Sequence, residues 1–139
     1  WWNSANVQEG FLDFVEYIRK SKSVTKVDWE TLVKKQLETT YKKHINTSFL
    51  NSYYDDEGWW AIAWLKASDV YKNATYLQLS RVIFQDMIRG WNDKVCSGGI
   101  WWDKKNSYKN AIPNELLLSL ATRLYLRTNE TVFYDWAVK

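Results

Sequence analysis

The stretch YYDDEGWW, Tyr53 to Trp60, sets two aspartates side by side, with two tyrosines before them and two tryptophans after them. Neighbouring residues project in different directions, so Asp55 and Asp56 can approach one substrate bond from two sides. Cleaving a glycosidic bond with retention of configuration needs two carboxyl groups about 5–5.5 Å apart, one a nucleophile and the other a proton donor and acceptor. Adjacent residues at a helix start reach such a spacing. Their environments must then push the two pKa values apart. Repulsion and a flanking tryptophan raise one, while free backbone N–H groups lower the other. Asp-Asp-Glu is also an ordinary acidic first turn, matched to the positive end of a helix dipole. The tryptophans weigh against that plainer reading. With a helix starting here, Trp60 lies one turn beyond Asp56, Trp59 sits on a nearby face and Trp64 extends the Asp56/Trp60 line. A stripe of tryptophans is ordinarily core, but this one ends in two carboxylates that a core would not accept unpaired. It reads as a pocket wall running from a buried interior to a polar mouth.

A second junction, SGGIWWDKKNSYKNAIPNELLL over residues 97–118, repeats the mixture. It brings Trp101 and Trp102 together with Asn110, Asn114 and Glu115. The apolar face of a pyranose stacks on an aromatic plane while its hydroxyls seek amides and carboxylates. Gly98-Gly99 permits close backbone approach. The 10 Trp, 9 Tyr and 5 Phe exceed what a core of this size requires, although a Trp-rich core would also account for some of them.

The elements that must position these residues read as helices throughout. Val7, Phe11, Phe14, Val15 and Ile18 share a face over residues 5–20. Asp28 caps a second run with Trp29, Leu32, Val33 and Leu37 inward. INTSFLNS is a loop, and a third helix starts near Asp55 or Asp56 and reaches Tyr71. Asn73 caps a fourth, with Tyr76, Leu79, Val82, Ile83 and Met87 inward, ending near Trp91. Residues 92–112 form a long loop. Pro113 suits the first position of a fifth helix carrying Leu116, Leu117, Leu120, Leu124 and Tyr125, and Asn129 starts a sixth. No period-two strand stands out. The pattern fits antiparallel helical hairpins in a bundle, solenoid or toroid.

Composition narrows the function classes. The 139 residues, 46% of them hydrophobic, suit one domain or part of one. A net charge of +3 with scattered Lys and Arg gives no basic stripe for nucleic acid. No apolar run approaches the roughly 18 residues of a membrane span. The one cysteine, Cys96, reads as a small buried residue, and the one histidine, His44, as a capping or surface residue that cannot build a metal site alone. Three sequons, at Asn46, Asn73 and Asn129, point to a secreted glycoprotein. Asn73 and Asn129 also fit as helix N-caps. The start at Trp1-Trp2 and the stop at FYDWAVK, inside a helical pattern, both read as cuts in a longer protein.

YYDDEGWWAIAWL followed by GGIWW and YKNAIPNELLL closely resembles glycoside hydrolase family 76, the endo-α-1,6-mannanases and their fungal cell-wall relatives. The three blocks stand in family order, and the resemblance covers essentially the whole chain. It implies an all-α fold, an (α/α)6 toroid of which this chain, residues 1–139, supplies roughly half of the catalytic domain. It implies retaining cleavage of α-1,6-mannosidic bonds in mannan or manno-oligosaccharides by a secreted or cell-wall protein, with no metal or cofactor. Carried across by position, Asp55 matches the nucleophile and Asp56 the acid/base. Tyr54, Trp59, Trp60, Trp101, Trp102, Asn110 and Glu115 fall in its groove-lining blocks as substrate-binding residues. Three alternatives stay open: a transglycosidase acting on mannan-linked anchor glycans, a mannan-binding relative without turnover, and a helical scaffold with no glycan site. A half-toroid would expose one broad apolar edge.

Overall fold

The computed structural model describes residues 1–22 and 25–139. Six α-helices follow one another: α1 Trp2–Ser21, α2 Trp29–His44, α3 Tyr54–Tyr71, α4 Ala74–Met87, α5 Ala111–Thr128 and α6 Thr131–Val138. Short 3-10 turns, Ile45–Thr47 and Ile88–Gly90, extend α2 and α4. Among the described residues extended pairing is limited to two isolated antiparallel bridges, Tyr53 with Asp103 and Trp91 with Ile100. The first ties the long segment after α4 back onto the start of α3, and the second closes that segment on itself.

The helices form three hairpins. α1 packs on α3 and α3 on α5, while α4 covers α3 and α6 covers α5. The centre is α3, whose Trp60 to Leu65 are all buried. At Gly58 an added Cβ would stand 2.9 Å from the Leu116 Cβ of α5, so glycine lets the two helices close just past the first turn of α3. Around Trp60 and Trp64 lies an aromatic core. Phe49 is 4.9 Å from each of the two indoles, and Tyr76 is 5.0 Å from Trp64.

The caps largely follow the sequence. Asp28 accepts the Thr31 N–H, and Asn73 accepts the Thr75 N–H. Asn129 does not. It ends α5 in the left-handed region at φ 55°, its N–H bonded to Tyr125, and Glu130 stands before α6. Asparagine tolerates that conformation, so an Asn between two helices can close the first rather than open the second. Asn110 starts α5 by accepting the Ile112 N–H, which places Pro113 third in the helix rather than first.

The buried face of α1 also differs from the expected one. It carries Ala5, Gln8, Leu12 and Val15, and Val7, Phe11 and Phe14 are exposed. A buried glutamine interrupts the hydrophobic stripe that marks the true face, and the larger side chains advertise another. Leu32 of α2 is likewise exposed. Cys96 is an exposed free thiol on the long loop, not a buried residue.

Candidate active site

The site grows from the first turn of α3. Its cap position is Tyr53, whose side chain makes no capping bond. The work falls to neighbours. The Asn51 side-chain carbonyl accepts the Tyr53 N–H at 2.7 Å, a tight turn that aims the chain into the helix. The Tyr54 N–H donates to the Trp102 carbonyl, and Lys104 N–H donates to the Ser52 carbonyl. The loop after α4 is thereby stitched along the entry to α3. Further on, Asn114 of α5 accepts the Ile100 N–H at 2.9 Å. Gly99, at φ +96°, runs so close that a Cβ there would meet the Asn114 carbonyl oxygen at 2.8 Å.

This stitching gives the two aspartates different surroundings. The Asp55 Oδ2 accepts the Trp102 indole N–H at 2.8 Å, and its Oδ1 accepts the Asp56 backbone N–H at 2.9 Å. Both oxygens are therefore held. Asp56 Oδ2 accepts the Asn51 side-chain amide at 2.7 Å. Burial raises the Asp56 pKa above the usual carboxylate range, the Asn51 donor works against it, and the neighbouring Asp55 charge adds to the rise.

Asp55 opens onto a hollow of about 410 Å³ between the odd-numbered helices. Trp2 and Glu9 come from α1, Trp59 and Ile62 from α3, and Ile112, Glu115, Leu116, Ser119 and Arg123 from α5. Trp2 and Trp59 stack with centroids 6.3 Å apart. Arg123 donates to Glu9 at 3.1 Å, linking α5 to α1. An apolar aromatic wall thus faces carboxylates and a hydroxyl, the mixture a sugar ring requires.

Of the residues expected to line a groove, Asp55, Trp59 and Glu115 meet in this hollow, and Trp102 joins them through Asp55. Tyr54 and Trp60 do not. Both are buried, Tyr54 against Gly90 and Trp60 against Phe49 and Trp1. The expected stripe of Trp60 and Trp64 is core, because only the Trp59 face of α3 turns toward α5. Trp101 is half-buried with the Lys109 ammonium 5.1 Å over its ring, and Asn110 serves as the α5 cap. Of the sequons, Asn46 and Asn129 are exposed and Asn73 is half-buried.

Sequence reasoning missed several contributors, among them Trp2, Asn51, Glu57 and Lys104. Glu57 looked like the third member of an acidic turn, yet it is fully buried. Its Oε1 accepts the Asn51 backbone N–H at 2.7 Å and pairs with Lys104 at 2.7 Å, and Lys104 also pairs with Asp86 at 2.7 Å. Burial pushes the Glu57 pKa up to about 7 despite these partners. One signal was available for Asn51: an asparagine just ahead of a helix start favours a turn onto its own backbone.

The chain as a whole is similar to known proteins. The mannan endo-1,6-α-mannosidase DFG5 of Candida albicans is 29% identical over the whole chain, which spans 33% of that relative. A putative mannan endo-1,6-α-mannosidase of Schizosaccharomyces pombe is 32% identical over 95 residues, 61% of this chain and 22% of its own length. Among solved structures, a Listeria innocua protein superposes with a TM-score of 0.81 at 26% identity, covering 99% of this chain and 38% of that one. The α-1,6-mannanase of a Salegentibacter species gives 0.76 at 25% identity, again over 99% of this chain and 38% of that one. The chain thus spans about a third of the relatives it matches. The description of glycosyl hydrolase family 76 matches residues 1–139 without interruption, taking in α3 with its aspartates and the loop that holds them, and to that family the chain belongs.

Proposed function

We propose that the protein carrying this chain hydrolyses α-1,6-mannosidic bonds within mannan, with retention of configuration. The observation that carries the reading is the unequal pair at the start of α3. Asp55 faces the hollow with both oxygens held by N–H donors, and Asp56 sits half-buried with its pKa raised. The first is suited to attack and the second to hold a proton.

In this scheme Asp55 attacks the anomeric carbon while Asp56 protonates the departing glycosidic oxygen. The C–O bond breaks as the glycosyl–Asp55 ester forms. Asp56, now a carboxylate, takes a proton from water, whose oxygen displaces Asp55. Trp59 offers its face to a mannose ring, and Glu115 accepts from its hydroxyls. The names of the fungal and bacterial relatives support the choice of α-1,6-mannan. Asn46 and Asn129, exposed within sequons, support a secreted or cell-wall protein. Among the described residues no helix is long and apolar enough to cross a membrane.

The test is an NMR time course on α-1,6-mannan and manno-oligosaccharides, with the full natural protein beside its Asp55→Asn variant. Early α-anomeric products, reduced by roughly 10³-fold or more in the variant, are expected. Early β-anomeric products, or unchanged cleavage by the variant, would sink the reading. Product bonds to an added acceptor glycan would move it to transfer.

A further inference from the structure

Glu57 and Lys104 lie outside the hollow, yet Glu57 reaches Asp56 in two bonds and Lys104 in three. Lys104 comes from the loop after α4 and clamps Glu57 Oε1, which takes the Asn51 backbone N–H, and the Asn51 side-chain amide then donates to Asp56 Oδ2. The same Asn51 residue is bonded at its backbone by one carboxylate and at its side chain by the other. We propose that Glu57 is a positioning residue for Asp56, acting through Asn51 to hold an amide donor on the acid/base carboxylate. This rests on the assignment of Asp56 under Proposed function.

The charged groups around the relay are few. Lys104 and Asp86 act on Glu57, with Arg89 3.5 Å from Asp86, and the Tyr54 ring lies under Lys104. The neighbouring Asp55 charge acts on Asp56. None of these fixes Asn51. An amide donating to a carboxylate favours the charged form, so it offsets the burial of Asp56.

The experiment is a carboxyl ¹³C NMR titration of Asp56 in the protein that carries this chain. Asn51→Leu is expected to raise the Asp56 pKa by about one unit, and Glu57→Leu to raise it alike. The double variant should go no further, because both remove one bond. Glu57→Gln, which keeps an oxygen for the Asn51 N–H, should return the Asp56 pKa to its wild-type position, without an inflection from residue 57. A merely structural Glu57 would lower the melting temperature and leave Asp56 unmoved, which would overturn the proposal. Where Glu57→Leu does not fold, the wild type decides. The Asn51 backbone N–H must follow the Glu57 titration, and Asp56 must show an inflection at that pH; an Asp56 resonance blind to Glu57 overturns the relay. The readout is a proton and not turnover. An Asp56 shift in a protein that cleaves no mannan overturns the proposed hydrolysis alone, and unshifted Asp56 in an active enzyme overturns the relay alone.

Discussion

A single indole nitrogen carries much of the organisation at Asp55. Trp102 stands 47 residues further along the chain, and its N–H reaches Asp55 Oδ2 at 2.8 Å because the Tyr54 N–H ties the Trp102 backbone to the start of α3. The Tyr53 ring, 4.8 Å from the indole, fixes its plane. Replacing Trp102 by Phe keeps a ring and removes the donor. A hydrogen bond to a charged group contributes about 1.5–3 kcal/mol, so kcat should fall roughly 10- to 100-fold with KM little changed. Steady-state kinetics on a manno-oligosaccharide check this; a rise in KM alone would make Trp102 a sugar contact. The paired aspartates were legible in the sequence because adjacency at a helix start is a local property. Trp102 was legible as aromatic and near the site, but its bond was not, since that depends on how a 20-residue loop returns. Asn51 was legible only as a turn residue ahead of a helix, and its bonds to Asp56 and Glu57 were not, since they exist only once α3 has formed.

Helices were the legible layer, and their buried faces were less so. Asp28, Asn73 and the inward side chains of α4 and α5 are written in spacing and cap chemistry, which are local. The face of α1 is decided by what α3 presents to it, and that selects small Ala5 and polar Gln8 over Phe11. The first turn of α3 holds a second consequence of packing. Glu57 is sealed beneath α4 and the Lys104 loop with a pKa near 7, against an ordinary value of 4.5. Between those values the folded chain keeps a proton that the unfolded chain has released, and Oε2, which has no partner, is the oxygen free to carry it. The native state binds more protons, so stability is greatest at the acidic end of this window and falls as pH rises toward 7. The loss should be roughly 2–3 kcal/mol. Glu57→Gln cannot titrate, and its stability should lack that slope. Urea denaturation of both proteins at pH 4.5, 5.5 and 7 measures the difference; parallel curves would show that Lys104 keeps Glu57 ionised throughout.

The three hairpins leave large apolar side chains exposed on the first pair of helices and on the last. On one side α1 and α2 expose Val7, Phe11, Phe14 and Leu32. On the other α5 and α6 expose Leu118, Leu126, Val132, Tyr134 and Val138. The 139 residues by themselves should therefore self-associate, since contiguous exposed apolar faces drive association in water. Sedimentation velocity over a concentration series should show oligomers, and Val7→Glu with Phe11→Glu should reduce them. Those substitutions lie at exposed positions and should change unfolding free energy by no more than about 0.5 kcal/mol. Leu12→Ala, one residue away on the same helix, removes a fully buried side chain and should cost about 2–5 kcal/mol without changing association. The two outcomes together separate edge from core along α1. A chain that stays monomeric with Val7 and Phe11 intact would mean that these faces are stable in water as they stand.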